Sequence, residues 1–430
     1  MQRENKMLNI KRVHQYIFLM AAALFFPGMI SSFGLLIEQV LTMGLFVISL
    51  FVIIKYKATI TTSTLYISFL LYAYFQIAII ISLLRSTDIF IISDLFEIIK
   101  PFYLYLFFLI PFCFIKCLDD LSTVVKYFMI FCIALSAFGL VESWTNFGHH
   151  LSTVLYKPDR GVLKHKAVAS FIITYTFASF LVLPFFYFLT RFLSANTLFN
   201  RHLFFLISIL LCIFSTQSKT VFIGLIITIV LYFIFYLTYK FTLKKKKVVF
   251  MIFVLTISSI LSVGLLISML STHFSYIYNG LEVVLVSFLE RGVGDALYST
   301  PSISLRLEQF QFAVDAQDYI PLIGVAIGKG VLMPESLYAL YLYRVGMIGL
   351  IIHFSMVIYL FLASKKCAKY FSEMNNVHMY SWFMAIHFYA LSLPFLYFSS
   401  AVNDQTRTGF IFYFLIASTI YTKRKIYDDK

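Results

Sequence analysis

Apolar residues come in long runs separated by short polar breaks. Taken at about twenty residues per bilayer crossing, the runs predict twelve helices, at 15–37, 40–54, 65–84, 94–115, 121–145, 167–190, 202–217, 219–239, 248–271, 336–363, 380–400 and 406–422. The seventh and eighth are parted only by the polar knot Thr216-Gln217-Ser218-Lys219. The ten-residue alternation of a transmembrane barrel is missing, as is the fixed repeat of a solenoid. Two stretches break the rhythm, 146–166 and the much longer 272–335. Within the second, 304–319 predicts an amphipathic helix, with Leu307, Phe310 and Val314 on one face and Glu308, Gln311 and Asp315 elsewhere. A second apolar piece, 283–289, is placed to pack against the membrane face.

Composition narrows the class. Of 430 residues 61% are hydrophobic and 13% charged, and mean hydropathy is +0.89. A soluble domain carries roughly 25% charged residues, so a cytosolic enzyme, a disordered chain and a disulfide scaffold are excluded. The fold expected is a single all-α polytopic membrane domain over 1–430 with about twelve transmembrane helices.

The net charge of +14 would suggest nucleic acid in a soluble protein. Here it sorts by side. With the N-terminus cytoplasmic, Arg3, Lys6, Lys11, Arg12, Lys55, Lys57, the run Lys244-Lys245-Lys246-Lys247, Lys365, Lys366 and Lys423 all fall on the inner face. Both termini are then cytoplasmic, 272–335 is external, and the lysine run is an anchor to anionic lipid, with no nucleic-acid partner. The first run lacks a small-residue cleavage site and is read as a retained helix. The external face keeps Arg160, Lys166, Arg291, Arg306, Arg344 and Arg407, among others. Lys100 and Lys219 remain as intramembrane cations, which are costly and therefore paired or functional. For Lys100 the simplest partner is Glu97, one helical turn away. The five cysteines lie in spans or at cytoplasmic ends, so no disulfide is expected. His149, His150 and His273 lack partners at ligand spacing, and no metal or other cofactor is expected.

Candidate chemistry gathers where the long loop meets the next span. The loop ends Pro321-Leu322-Ile323-Gly324-Val325-Ala326-Ile327-Gly328-Lys329-Gly330, followed by Pro334-Glu335-Ser336-Leu337-Tyr338 and, in the helix, Arg344-Val345-Gly346-Met347-Ile348-Gly349. Glycines so spaced let a backbone turn tightly or approach a ligand, and free N–H groups there can cradle phosphate. The Lys-Ser/Thr ending of a nucleotide P-loop is missing. Each candidate also has a plain reading. Arg160 suits an interface anchor, Arg306 a partner of Glu308, Asp315 or Asp318, Glu335 a helix-start carboxylate, and Tyr338 an interfacial aromatic.

The order of these features resembles the O-antigen polymerase (Wzy) and O-antigen ligase superfamily. An Arg306-led amphipathic segment is followed by the glycine stretch, a polar pair before an aromatic, and Gly346-x-x-Gly349 in a helix. Asp159-Arg160-Gly161-Val162 with His165 resembles that family's arginine-glycine entry to a middle helix. Ser215-Thr216-Gln217-Ser218-Lys219-Thr220 resembles its Ser-x-Ser-Arg-Thr stretch, with lysine in place of arginine. The resemblance implies a GT-C-like glycosyltransferase of the bacterial inner membrane, with 272–335 as a large periplasmic loop between the ninth and tenth helices. It would join undecaprenyl-pyrophosphate-linked oligosaccharides, in company with a chain-length regulator. It further implies pyrophosphate held by Arg160 and Arg306, then Lys219 and Arg291, with Gly324, Gly328, Gly330 and Tyr338 lining the site, and Glu335 taking the acceptor proton. The ligase branch carries His-Asn where this chain has Glu335-Ser336, which favours a polymerase over a ligase. A flippase for the same lipid-linked units is the reading from another class; short loops and charges strung through the spans would mark it.

Overall fold

A computed structural model describes residues 2–26, 36–56, 62–84, 95–156, 166–171, 173–195, 197, 200–238, 286, 301–316, 322–325 and 334–428. Helix is the only regular structure among them. In chain order the helices are α1 Gln2–Phe25, α2 Leu36–Tyr56, α3 Thr62–Leu84, α4 Leu95–Phe114, α5 Leu118–Trp144, α6 Asn146–Leu155 and α7 Thr174–Ser194, then α8 Arg201–Ser215, α9 Lys219–Thr238, α10 Pro301–Asp315, α11 Leu337–Glu373, α12 Val377–Leu396 and α13 Thr406–Asp428. The span expected at 248–271 lies outside the described residues, and each of the other eleven falls on a helix. Among the described residues four helices, α5, α7, α11 and α12, are long and apolar enough throughout to cross a membrane, and shorter apolar helices occupy Thr42–Tyr56, Lys100–Phe114, Arg201–Ser215 and Lys219–Ile234. Phe18, Phe51, Ile54, Phe69, Phe204 and Ile351 point outward from the bundle. Water would penalise such a surface; acyl chains do not. The molecule has the architecture of a helical membrane protein.

The interior is built around α13, buried on every side from Thr406 to Thr422. Tyr16, Phe114, Phe128 and Trp382 interlock around Phe410 and Phe414 of α13, with ring centroids 5.7 Å apart for Tyr16–Phe114 and for Trp382–Phe414. Side-chain bonds tie helix ends into two groups. At one end Tyr56 meets Gln15, and His378 meets Tyr187 and the Ser122 carbonyl. At the other, Thr42 meets Thr406 and Arg407 donates to the carbonyls of Ala23, Leu24 and Phe26, closing the C-terminus of α1. α1 and α2 therefore run in opposite directions, as do α5 and α7.

Three departures from the expected helices matter. The span expected at 167–190 begins as helix only at Thr174, because the preceding turn is held otherwise. Ala169 has φ 49°, and the buried Glu142 carboxylate accepts the N–H groups of Val168 at 2.8 Å and Ala169 at 2.6 Å while Ser152 donates to its other oxygen. The stretch expected as loop from 146 opens with the short helix α6, capped by the Thr145 hydroxyl.

The third departure is a break inside α11. Gly346 adopts φ 64°, ψ −165°, a region open in practice to glycine alone. The opened backbone is satisfied by the segment 322–325: Val325 N–H donates to the Tyr343 carbonyl at 2.6 Å, and Ile348 N–H to the Leu322 carbonyl at 3.1 Å. Gly324, with φ 77°, crosses Gly346 so closely that a Cβ on Gly324 would lie 2.6 Å from the Gly346 nitrogen, and one on Gly346 would strike the Leu322 carbonyl. Buried non-helical backbone needs partners for its N–H and C=O groups, and here each segment supplies them to the other. Gly346→Val combines backbone strain of about 1–3 kcal/mol with this collision. We expect it to abolish the monodisperse peak of detergent-solubilised protein in size-exclusion chromatography, with Gly44→Ala, where an added Cβ meets nothing within 4 Å, as the mild comparison.

Candidate functional site

The site begins with α10, and its docking differs from the apolar-stripe expectation. Phe310 is 43% and Val314 38% exposed, whereas Gln309 and Ala313 are buried. Phe312 stacks on Tyr343 with centroids 5.4 Å apart. The face formed by residues 306, 309 and 313, which the 3.6-residue period aligns, meets the bundle. Polar bonds explain the choice. Arg306 and Gln309 both find partners at the start of α11, and these bonds turn that face of α10 to the bundle.

The Arg306 Nη2 atom lies 2.9 Å from Glu335 Oε2 and also donates to the Ser399 carbonyl at 3.3 Å. Arg306 therefore takes Glu335 as partner, 29 residues on, ahead of the local carboxylates Glu308, Asp315 and Asp318. Asp315 accepts from Gln311 at 2.7 Å, and Asp318 lies outside the described residues. Glu335 is fixed through its main chain. Its N–H donates to Gln309 Oε1 at 3.0 Å and its carbonyl accepts from Ala401 N–H at 3.0 Å. Ser336 then caps α11, its hydroxyl accepting the Ala339 N–H. The Glu335 carboxylate is 43% exposed and Arg306 11%, so the pair sits at an opening with its cation inward. Tyr175, at the start of α7, lies within electrostatic range of both charges; no motif in the sequence marks it.

The other expected residues that are described have partners of their own. Tyr338 donates to the Pro394 carbonyl at 2.8 Å and stacks on Phe354, a packing role. Gly324 spends its freedom on the crossing with Gly346. Lys219 opens α9, in the turn where Gln217 has φ 56° and where the Ser215 carbonyl accepts Ala167 N–H and its hydroxyl accepts Trp144 Nε1–H. Lys219 and Lys166 lie within electrostatic range of each other, and burial holds the Lys166 ammonium below the ordinary lysine value. Arg160, Arg291, Gly328 and Gly330, with His165 and His273, lie outside the described residues. Among the described residues there is no group of three His, Cys, Asp or Glu side chains disposed to hold a metal.

A second charged group lies deeper at the same end. Lys100 Nζ is 2.8 Å from Asp404 Oδ2, and Arg344 Nη1 is 3.7 Å from the same oxygen. Tyr341 donates to Asp404 Oδ1 at 3.5 Å, and beside it His353 Nε2 meets the Tyr397 hydroxyl at 2.8 Å. Lys100 thus reaches a carboxylate 304 residues away, where spacing alone pointed to Glu97. The sequence did signal that Lys100 needs an anion; it did not signal which helix supplies it. Arg344 belongs to this buried group rather than to an exposed helix end.

Chemically, the mouth of the bundle offers a fixed carboxylate, a guanidinium fork half withdrawn from solvent, and a phenol within range of both. Such a set can stabilise a phosphate leaving group and accept a hydroxyl proton. Neither a protein-family model nor a curated protein matches the chain.

Proposed function

We propose that this chain is an O-antigen polymerase, a glycosyltransferase of the bacterial inner membrane acting at the periplasmic face, with both termini cytoplasmic and twelve spans. The observation that carries the reading is the Arg306–Glu335 pair at 2.9 Å, which brings together the two residue types the reaction demands, one from the helix within 272–335 and one from the end of that stretch. In the proposed step an acceptor sugar hydroxyl oxygen attacks the anomeric carbon of the donor glycan. The anomeric C–O bond breaks, its electron pair leaves with the undecaprenyl pyrophosphate, and the hydroxyl proton passes to Glu335. Arg306 faces the charge growing on the departing pyrophosphate, where a permanently charged bidentate donor is worth most. Arg160, Lys219 and Arg291 are the further cations we assign to pyrophosphate, with Gly324, Gly328 and Gly330 as the glycines assigned to the same site; a chain-length regulator is the partner the resemblance implies. The remote apolar part of each substrate stays in the bilayer, so the protein has only head groups to position.

Purified protein reconstituted with lipid-linked repeat units tests the reading: a ladder of lipid-linked oligomers is the expected product on gel electrophoresis. Transfer of finished polymer to a lipid A core acceptor without a ladder would reassign the chain as a ligase. Transbilayer movement of the units with neither product would reassign it as a flippase.

A further inference from the structure

The Arg306–Glu335 contact poses a difficulty for the role just proposed, since the Oε2 atom that would face the acceptor is already engaged by the guanidinium at 2.9 Å. Its geometry suggests how the hold is released. Arg306 is 11% exposed and Glu335 43%, so the two ends of the bond are not equivalent. A withdrawn guanidinium left without an anion is costly, whereas an exposed carboxylate returns to water cheaply. Arg306 can exchange its anion but cannot readily do without one.

The main chain makes the exchange local. Glu335 is held on both sides, by Gln309 Oε1 at its N–H and by Ala401 N–H at its carbonyl, 3.0 Å each. Arg306 keeps a separate bond to the Ser399 carbonyl at 3.3 Å. Swinging the carboxylate away therefore needs only side-chain rotation, and the residue stays where it was, facing the opening. A pyrophosphate brings more negative charge and more acceptor oxygens than one carboxylate, and competes for the fork on favourable terms.

We infer that the Arg306–Glu335 pair is a substrate-displaced latch: the donor's pyrophosphate takes Arg306 and thereby frees Glu335 to receive the acceptor's proton. This rests on the polymerase reading and adds to it an order of events, with the base unavailable until the donor is seated. An idle site would then not activate water against a donor that has only partly entered.

Binding separates the latch from the chemistry. The probe is undecaprenyl pyrophosphate, titrated against the full chain in lipid nanodiscs and read by microscale thermophoresis. If Arg306 is engaged by Glu335 in about nine molecules of ten, removing the competitor tightens apparent affinity about tenfold, because the apparent Kd is the intrinsic Kd divided by the competent fraction. Glu335→Gln should therefore bind the probe about threefold to tenfold more tightly than wild type while making less polymer, Glu335→Ser should do the same, and Glu335→Asp, which keeps the charge, should stay near wild type. Glu335→Ser also covers the case in which the glutamine variant fails to elute as a monodisperse species. Equal or weaker binding by both neutral variants, with clear binding by wild type, overturns the latch and leaves the polymerase reading standing. Absence of probe binding by wild type overturns both.

Discussion

Replacing Arg306 by alanine is expected to lower the rate of polymer formation about a hundredfold to a thousandfold, the usual cost of deleting one donor aimed at developing negative charge. The change leaves α10 docked, because Gln309, Phe312 and Ala313 supply its other contacts to the bundle. Protein yield and elution volume should therefore match wild type. Arg306→Lys restores charge but not the planar two-pronged geometry, and should recover a minor part of the rate. The measurement is the initial rate of ladder formation in proteoliposomes. An alanine variant within about threefold of wild type, far short of the usual loss, would remove Arg306 from the chemistry and with it the main support for the site.

Replacing Asp404 by alanine should damage the fold itself. Lys100 and Arg344 are both withdrawn from solvent around one carboxylate that is 6% exposed. Removing that carboxylate leaves two buried cations facing each other, and breaking a buried pair from one side costs about 3–5 kcal/mol. The expected result is a large fall in Tm of the solubilised protein, or failure to accumulate. Asp404→Asn keeps the shape and the hydrogen bond from Tyr341 but not the charge, so it should rescue little. A double variant, Asp404→Asn with Lys100→Met, removes one cation together with the anion and should recover a substantial part of the loss. Recovery equal to that of Asp404→Asn alone would mean that the charge of Lys100 is satisfied elsewhere.

These two sites differ in how visible they were before the structure. Helix positions were legible because a span of about twenty apolar residues reports the solvent it faces, and that signal is local. Arg306 and Glu335 were legible as separate candidates, through motif order, but their pairing across 29 residues was not. Asp404 was invisible as a partner, since nothing along the chain links residue 100 to residue 404. Which face of α10 docks was not legible either, because the partners of Arg306, Gln309 and Phe312 that decide it lie on other parts of the chain. The start of α7 was misplaced because Ala167-Val168-Ala169 is apolar enough for a span while Glu142, on another helix, supplies the bonds that let it stay a turn. The break in α11 had its glycines in plain view, yet a helix tolerates single glycines; only the crossing with Gly324 explains why this one opens.

The enclosed position of α13 also sets a timetable for biogenesis. Helices α1, α3, α4 and α11 pack on α13, and Arg407 and Asp404 reach back 384 and 304 residues to their partners on α1 and α4. During synthesis the nascent chain threads helix after helix into the bilayer with Lys100 unneutralised by Asp404 and the end of α1 uncapped by Arg407. Translation reaches those partners only at the threshold of α13, so the intermediate that precedes it is the state most exposed to membrane quality control.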